Sequence, residues 1–61
     1  MTVTVNDAPE QEVYVIGKSV IVNKQAKGVL AIGGDVIVKG RIEGDVATIG
    51  GNVIQEEDAY I

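Results

Sequence analysis

The side chains of this chain that could do chemistry are nine acids, five lysines or arginines and two tyrosines, with no histidine and no cysteine. Without those two residue types there is no imidazole base, no thiol nucleophile and no nitrogen or sulfur ligand for zinc. The sequence therefore predicts no catalytic residue and no cofactor-binding residue. We expect a protein that is not an enzyme.

The acids best suited to a cation site are Asp35, Glu43 and Asp45, because hard cations prefer several oxygen ligands. All three alternate with Lys39 and Arg41 on the same parity of a strand-like pattern. Charges of both signs in alternation are typical of a solvated, mutually neutralising surface. We therefore predict no metal site.

The glycine pairs Gly33-Gly34 and Gly50-Gly51 could indicate a phosphate-binding loop. Such a loop is followed by a helix and by a Lys-Ser/Thr pair, whereas each pair here lies between two segments with a β-strand pattern. We interpret both pairs as corners at which a β-rich chain turns.

Length and charge limit the possible classes of protein. A chain of 61 residues forms one domain with a small core, and without cysteine it needs repeat stacking or self-assembly for stability. The net charge of -4 argues against a nucleic-acid partner, which would require clustered cations. No apolar run is long enough to span a bilayer, and residues 1–12 lack the pattern of a signal peptide. We expect a cytoplasmic location.

An internal repeat runs through the chain. Segments 15–22, 31–38 and 48–55 align, and their isoleucines Ile16, Ile32 and Ile49 are separated by 16 and 17 residues. A repeat of this kind buries its apolar face by stacking on its neighbours.

Alternation inside the repeat indicates strands. From residue 30 to 46 the even positions carry only apolar residues and glycine, whereas five odd positions are charged. This pattern is longer than one strand, so the chain must turn while keeping one parity inward. We predict an all-β fold, a short single-chain β-solenoid of about three coils of 16–17 residues (13–28, 29–45 and 46–61). The predicted core residues are Ile16, Val20, Val22, Leu30, Ile32, Val36, Val38, Ile42, Val46, Ile49 and Val53.

The domain limits follow from the same pattern. Residues 1–12 are expected to be a flexible segment or a lone edge strand, because residues 2–5 alternate and Pro9 indicates a turn. The solenoid domain is then 13–61. Beyond residue 45 the inward series changes from even to odd, which predicts one extra residue near 45–48, held in a bulge.

Apolar residues on the outward parity predict an interface. Ile21, Ile37 and Ile54 would stack as an exposed ladder, and Val13, Val15, Val29 and Ala31 share that parity. A continuous exposed apolar stripe usually marks an interaction surface. The alternative is that residues 2–5 cover the ladder. The predicted assembly interface comprises Ile21, Ile37, Ile54, Val15, Val29, Lys24 and Glu57.

Lys24 and Glu57 enter this prediction through charge. Segments 23–25, 39–41 and 56–58 would form one corner column that changes from basic to acidic along the stack. Lys39 and Arg41 could meet Glu56 and Asp58 within the chain, and a second copy stacked end to end would set Glu57 over Lys24. Such surface pairs select a partner and its polarity more than they stabilise it.

Residues 32–46, with the sequence IGGDVIVKGRIEGDV, resemble the repeats of bactofilins, the bacterial polymer-forming cytoskeletal proteins. The resemblance covers about 45 residues, best in the second and third coils. It implies a right-handed β-helix that forms filaments without nucleotide, often at the inner membrane surface. The chain departs from the family in having about half of the coils expected for a bactofilin core.

A partial hexapeptide pattern (Ile32-Gly33 then Val36, Ile42-Glu43 then Val46, Ile49-Gly50 then Val53) also resembles left-handed β-helix acyltransferases. Members of that group usually need a histidine base, which this chain lacks. An acyltransferase-like fragment would have to receive a histidine from another chain.

These observations favour a structural, self-assembling protein that polymerises through stacked solenoid ends and lateral apolar faces. Each end of the predicted stack presents unpaired backbone groups, and the sequence predicts no helix to cap them. The expected partner is the chain itself, with other proteins or a membrane surface as further options and no nucleic acid. The alternative function is a small β-solenoid module for protein–protein binding or dimerisation.

Overall fold

The computed structural model describes residues 1–61 and contains six strands and no helix. The strands are β1 (Thr2–Ile16), β2 (Ser19–Ile32), β3 (Val36–Val38), β4 (Arg41–Ile42), β5 (Val46–Ile49) and β6 (Val53–Gln55). All of them pair in parallel with segments one coil away in the sequence. The predicted all-β solenoid of about three coils is confirmed.

Each coil has three straight sides joined by three corners. The first side comprises residues 2–5, 19–22, 36–38 and 53–55, and the second comprises residues 7–8, 25–26 and 41–42, on which Tyr60 forms a further bridge. The third side comprises residues 12–16, 28–32 and 45–49. Parallel pairing places equivalent residues of successive coils directly over one another, so every side consists of columns.

The first coil begins near Thr2 and not at Val13. β1 pairs with β2 from Thr2 against Ser19 to Ile16 against Ile32, with irregularities after Val5 and Ala8. Residues 2–5 are thus an edge strand, one of the two expectations for this segment, and they belong to the solenoid. The predicted domain boundary at residue 13 is not present, because the turn around Pro9 is a corner of the coil.

The core lies inside the first two sides, where the predicted parity holds. Val20, Val22, Val36, Val38 and Ile42 are all fully buried, as predicted. Ala26 completes this group on the second side. β-branched residues suit such a core because their stiff side chains pack well against neighbours on a pleated strand.

On the third side the predicted parity is wrong. Ile16, Ile32 and Ile49 face outward with 76%, 37% and 62% of their surface exposed, and Leu30 on the same parity is half-buried. Their neighbours turn inward instead: Ala31 is fully buried and Val29 is 4% exposed. Val46 is half-buried against the core as predicted, whereas Val53 is 42% exposed at the last paired level of the first side.

Two corners of the second coil explain this error. Inward residues change from even to odd between Ala26 and Val29, and back to even between Ala31 and Val36. The two changes cancel, so an uninterrupted even series passes through the third side although the inward residues there are odd. A shift of one residue moves every side chain to the other face of a strand.

The corner between the third and first sides has the same length in every coil. Two residues separate Ile16 from Ser19 and Ile32 from Asp35, and two more follow Ile49. The first of each pair is a glycine with positive φ, and Gly33 at +76° is the central example. The second packs on the coil below it: a methyl on Gly34 would overlap the carbonyl oxygen of Lys18, and one on Gly51 would overlap that of Gly34.

The corner between the second and third sides varies in length. It contains residues 9–11 in the first coil, residue 27 in the second and residues 43–44 in the third. The predicted extra residue of the third coil therefore lies between Ile42 and Val46, slightly earlier than residues 45–48.

Candidate assembly surfaces

The molecular surface contains no pocket and no cluster of three acidic residues positioned to hold a metal ion. Because such features do not by themselves decide whether a protein is a catalyst, the absence of enzyme activity stays a prediction. The surfaces that distinguish this molecule are its outer sides and its two ends.

The first isoleucine column consists of Ile21, Ile37 and Ile54 on the outside of the first side. Parallel pairing sets Ile21 beside Ile37 and Ile37 beside Ile54, and Thr4 precedes them in the first coil. Ile21 and Ile37 are half-buried and Ile54 is 45% exposed. The predicted ladder is therefore present and is not covered by residues 2–5, which lie in the same side as its first level. Its role in assembly stays a prediction.

A polar ladder borders this column. The backbone N–H of Asp35 donates to Ser19 Oγ at 3.0 Å, and the N–H of Asn52 donates to Asp35 Oδ1 at 2.9 Å. Each side chain thus accepts a hydrogen bond from the next coil at the constant corner. These contacts fix the stacking register where the glycines bring the backbones close together.

A larger apolar surface lies on the third side. We call it the third-side patch; it consists of two adjacent columns, Tyr14, Leu30, Ala47 and Ile16, Ile32, Ile49. Tyr14 is 67% exposed, and none of the six side chains carries a charge. The patch is wider than the first isoleucine column, which is one residue wide.

Two residues of the predicted interface lie inside the solenoid. Val29 is buried and Val15 is half-buried against the core, because inward residues on the third side are odd-numbered. The expected outward positions of Val13 and Ala31 are wrong for the same reason. Their outward neighbours form the third-side patch in their place.

The two borders of the third-side patch carry opposite charge in the first coil. One border contains Glu12, Gly28 and Asp45, and the other contains Lys18, Gly34 and Gly51 at the constant corner. The hydroxyl of Tyr14 donates a hydrogen bond to Glu12 Oε1 at 3.0 Å, which shows that the Glu12 side chain lies on the outer surface beside the patch.

The Glu12 contact raises the pKa of Tyr14 above its ordinary value, through the hydrogen bond that the hydroxyl donates and through repulsion between carboxylate and phenolate. We expect Glu12→Gln to lower the pKa of Tyr14, measured as phenolate absorbance in an alkaline titration. Tyr60→Phe should be introduced into both proteins so that Tyr14 alone titrates. An unchanged midpoint would show that Glu12 does not engage Tyr14 in solution.

Lys24 does not occupy the position that the sequence predicts. Its Nζ lies 3.8 Å from Asp7 Oδ2, and the amide of the adjacent Asn23 donates to Asn6 Oδ1 at 2.8 Å. The first coil therefore lies over Lys24, so a copy stacked on that end would place its Glu57 near Asp7. The predicted Lys24–Glu57 contact between copies is wrong, although Glu57 itself is exposed.

Arg41 also pairs differently from the expectation. It donates to Glu43 Oε1 at 3.1 Å, and its guanidinium lies 5.2 Å from the centre of the Tyr60 ring. Neither Glu56 nor Asp58 forms a salt bridge with Arg41 or Lys39. Exposed pairs of this kind contribute little stability.

The two ends of the stack differ in polarity. At the N-terminal end the inward residues are apolar and half-buried, and they are Val3, Val5, Ala8, Val13 and Val15. At the other end the column of Val5, Val22 and Val38 finishes in Gln55, whose side-chain amide donates to the carbonyl oxygen of Ala59 at 3.0 Å.

Comparison of the chain with protein-family models, curated proteins and solved structures gave no match. No segment forms a helix with the length and hydropathy needed to cross a membrane. Proposals about function therefore depend on the surfaces described above.

Sequence reasoning misses the third-side patch, although one signal for it exists. Continued alternation puts Tyr14 inside, but its hydroxyl needs a partner that a narrow valine-lined interior does not offer. The third coil carries the opposite signal, because Thr48 points inward and Ile49 outward. Thr48 Oγ1 satisfies its hydrogen-bonding need by donating to the carbonyl oxygen of Gly51 at 2.8 Å.

Proposed function

We propose that this chain is a structural protein that assembles with copies of itself, in the manner suggested by its resemblance to bactofilins. The observation that carries the proposal is that two of its three outer sides bear continuous apolar columns: the first isoleucine column and the third-side patch. Exposed apolar surface that is continuous along an element is typical of an interaction site.

Two separate lateral surfaces permit open growth. A subunit with one self-complementary surface forms closed dimers, whereas a subunit with two can link to a neighbour on each side. Because the two surfaces lie on different sides of a three-sided coil, neighbours bound to them do not overlap. The expected product is an extended array of laterally joined solenoids.

The ends of the stack offer a second direction of growth. The outer edge of β1 and that of β6 have backbone groups with no partner in the chain, and such edges pair readily with other strands. Two features oppose simple continuation of the coil from copy to copy. Lys18 has a side chain where Gly34 and Gly51 need none, and Asp7 would approach the acids at 56–58. End-to-end joining therefore requires a local opening of this corner, and lateral joining is the primary mode that we propose.

The remaining expectations become part of this proposal. Filament formation without nucleotide, a cytoplasmic location and association with other proteins or with a membrane surface follow from the bactofilin resemblance. A protein with lateral self-association and a net charge of -4 would need a basic or apolar partner to be held at an anionic membrane.

Lysine substitutions on the two lateral surfaces test the proposal. We expect wild-type protein to grow into large species with concentration in sedimentation velocity experiments. Ile37→Lys and Ile32→Lys should each reduce growth to dimers, because one surface remains, and the double variant should be monomeric. Gln11→Lys, which adds the same charge at an exposed corner, should assemble like the wild type. Circular dichroism should show that all four variants retain strand structure.

The outcomes separate the two candidate functions. Wild-type protein that stays monomeric at all concentrations would rule out self-assembly. A dimer that saturates, and that only Ile32→Lys disrupts, would favour the dimerisation module, in which the third-side patch is the single interface.

A further inference from the structure

The charges at the borders of the third-side patch specify how a second copy can bind there. In the first coil Glu12 lies at one border and Lys18 at the other, with Tyr14 and Ile16 between them. At the higher levels the Lys18 border carries only Gly34 and Gly51, so the asymmetry of charge is concentrated at one end of the patch. A partner is therefore selected for both its orientation and its side.

We propose that two copies of the chain pair through this patch, side by side and parallel, about a two-fold axis that runs along the stack. The inference rests on the proposed self-assembly and adds the partner, the surface and the orientation. In this arrangement each column faces the other column of the partner at the same level.

The parallel pairing brings unlike charges together. Because the two-fold axis exchanges left and right borders, Glu12 of each copy faces Lys18 of the other, and the contact occurs twice. Within the patch, Ile16 meets the partner's Tyr14 and Ile32 meets the partner's Leu30. Electrostatic complementarity of this kind contributes more to orientation and specificity than to affinity.

The antiparallel pairing brings like charges together. With the axis perpendicular to the stack, each border faces itself with the levels reversed, so Glu12 approaches the partner's Asp45. Lys18 then faces the partner's Gly51 and gains no acidic neighbour. The charges thus favour the parallel pair, and the neutral apolar columns are compatible with either.

The size of the patch predicts weak binding for an isolated pair. The molecule exposes 3838 Å², shared among three sides and two ends, so one side offers about a fifth of it. That is about the 800 Å² per partner of a standard protein interface, or less where the rim stays hydrated. Solenoids that are already joined by another surface would present several patches together, and multivalency would strengthen the contact.

Charge reversal distinguishes the two orientations. All variants are made in the Ile37→Lys protein, so that only the third-side contact is measured, by sedimentation equilibrium at low salt. We expect Glu12→Lys to weaken the dimer about tenfold, because the introduced lysine would then face Lys18 at two symmetric contacts. Glu12→Lys combined with Lys18→Glu should restore the original affinity. The antiparallel arrangement predicts the reverse for Glu12→Lys, in which the introduced lysine would face Asp45 and the dimer would bind more tightly.

Two controls isolate this effect. Tyr14→Phe removes the hydrogen bond to Glu12 without changing any charge, and it should leave the dimer nearly unchanged. Glu57→Lys makes the same change in net charge far from the patch, and it should also have little effect.

Each result decides for or against the inference. Loss with Glu12→Lys and recovery in the double variant support the parallel pair. Tighter binding by Glu12→Lys, or a dimer insensitive to both substitutions, overturns the inference while the self-assembly proposal stands. Absence of any dimer in the Ile37→Lys protein, with assembly retained in the wild type, overturns the third-side contact itself.

Discussion

Gly34→Ala is expected to abolish folding of the chain. The new methyl group would overlap the carbonyl oxygen of Lys18 in the coil below, and that atom belongs to the backbone, which cannot turn aside as a side chain can. Relief requires the coils to separate at the constant corner, where the Ser19–Asp35 hydrogen bond also lies. A chain of this length has a total stability of about 3–9 kcal/mol, which loss of stacking at one corner of every following coil would exceed.

Gly33→Ala provides the matched control at the adjacent residue. Its φ of +76° strains any other amino acid, but the nearest atoms, those of Gly17, lie 3.8 Å from the added methyl. The expected cost is about 1–2 kcal/mol, which lowers the melting temperature and leaves the fold intact. Circular dichroism of both variants during thermal unfolding makes the comparison. Equal stability of the two would show that the coils are not in close backbone contact at Gly34.

Ala31→Asp and Ile32→Asp should have opposite outcomes, although the residues are neighbours. Ala31 is fully buried, so an aspartate there would place an unpaired carboxylate in the core at a cost of about 3–5 kcal/mol or more. Ile32 faces outward, and aspartate at that position should be tolerated by the fold while weakening association. Urea unfolding of the two variants measures the difference. If Ile32→Asp unfolds the protein and Ala31→Asp does not, the third side has the parity that simple alternation predicts.

The fold is predictable because its strongest signals are local and repeated. The spacing of 16 and 17 residues between Ile16, Ile32 and Ile49 requires coils of that length, and the glycines require corners. Within the first and second sides, alternation identifies Val20, Val36 and Ile42 as core residues, all of which are fully buried. Stacking of identical positions amplifies such signals, since each column repeats the same choice.

The parity of the third side is not predictable from alternation alone. Both Leu30-Ile32 and Val29-Ala31 are apolar, so either pair could fill the interior. The choice depends on how many residues the corner at Lys27 contains, and corner length is set by close backbone packing between coils. That packing is a property of the three-dimensional stack and has no separate signal in the sequence of one coil.

The same cause explains the mixed outcome for the assembly residues. The first isoleucine column is predictable because it lies on a side with the correct parity. The position of Lys24 is not, because it depends on whether the turn around Pro9 is a linker or a corner of the first coil. Lone turn signals such as proline occur both at corners of a coil and between domains.

The corner between the second and third sides has a consequence for how this protein could change over time. It holds three residues in one coil, one in the next and two in the third, while the columns on either side stay aligned. Additional sequence inserted there would project sideways as a loop and leave the interior undisturbed, because loop closure costs grow slowly with length. This edge is therefore the natural place to graft a peptide epitope or an enzyme domain, whereas the glycine-lined edge would reject even one added residue.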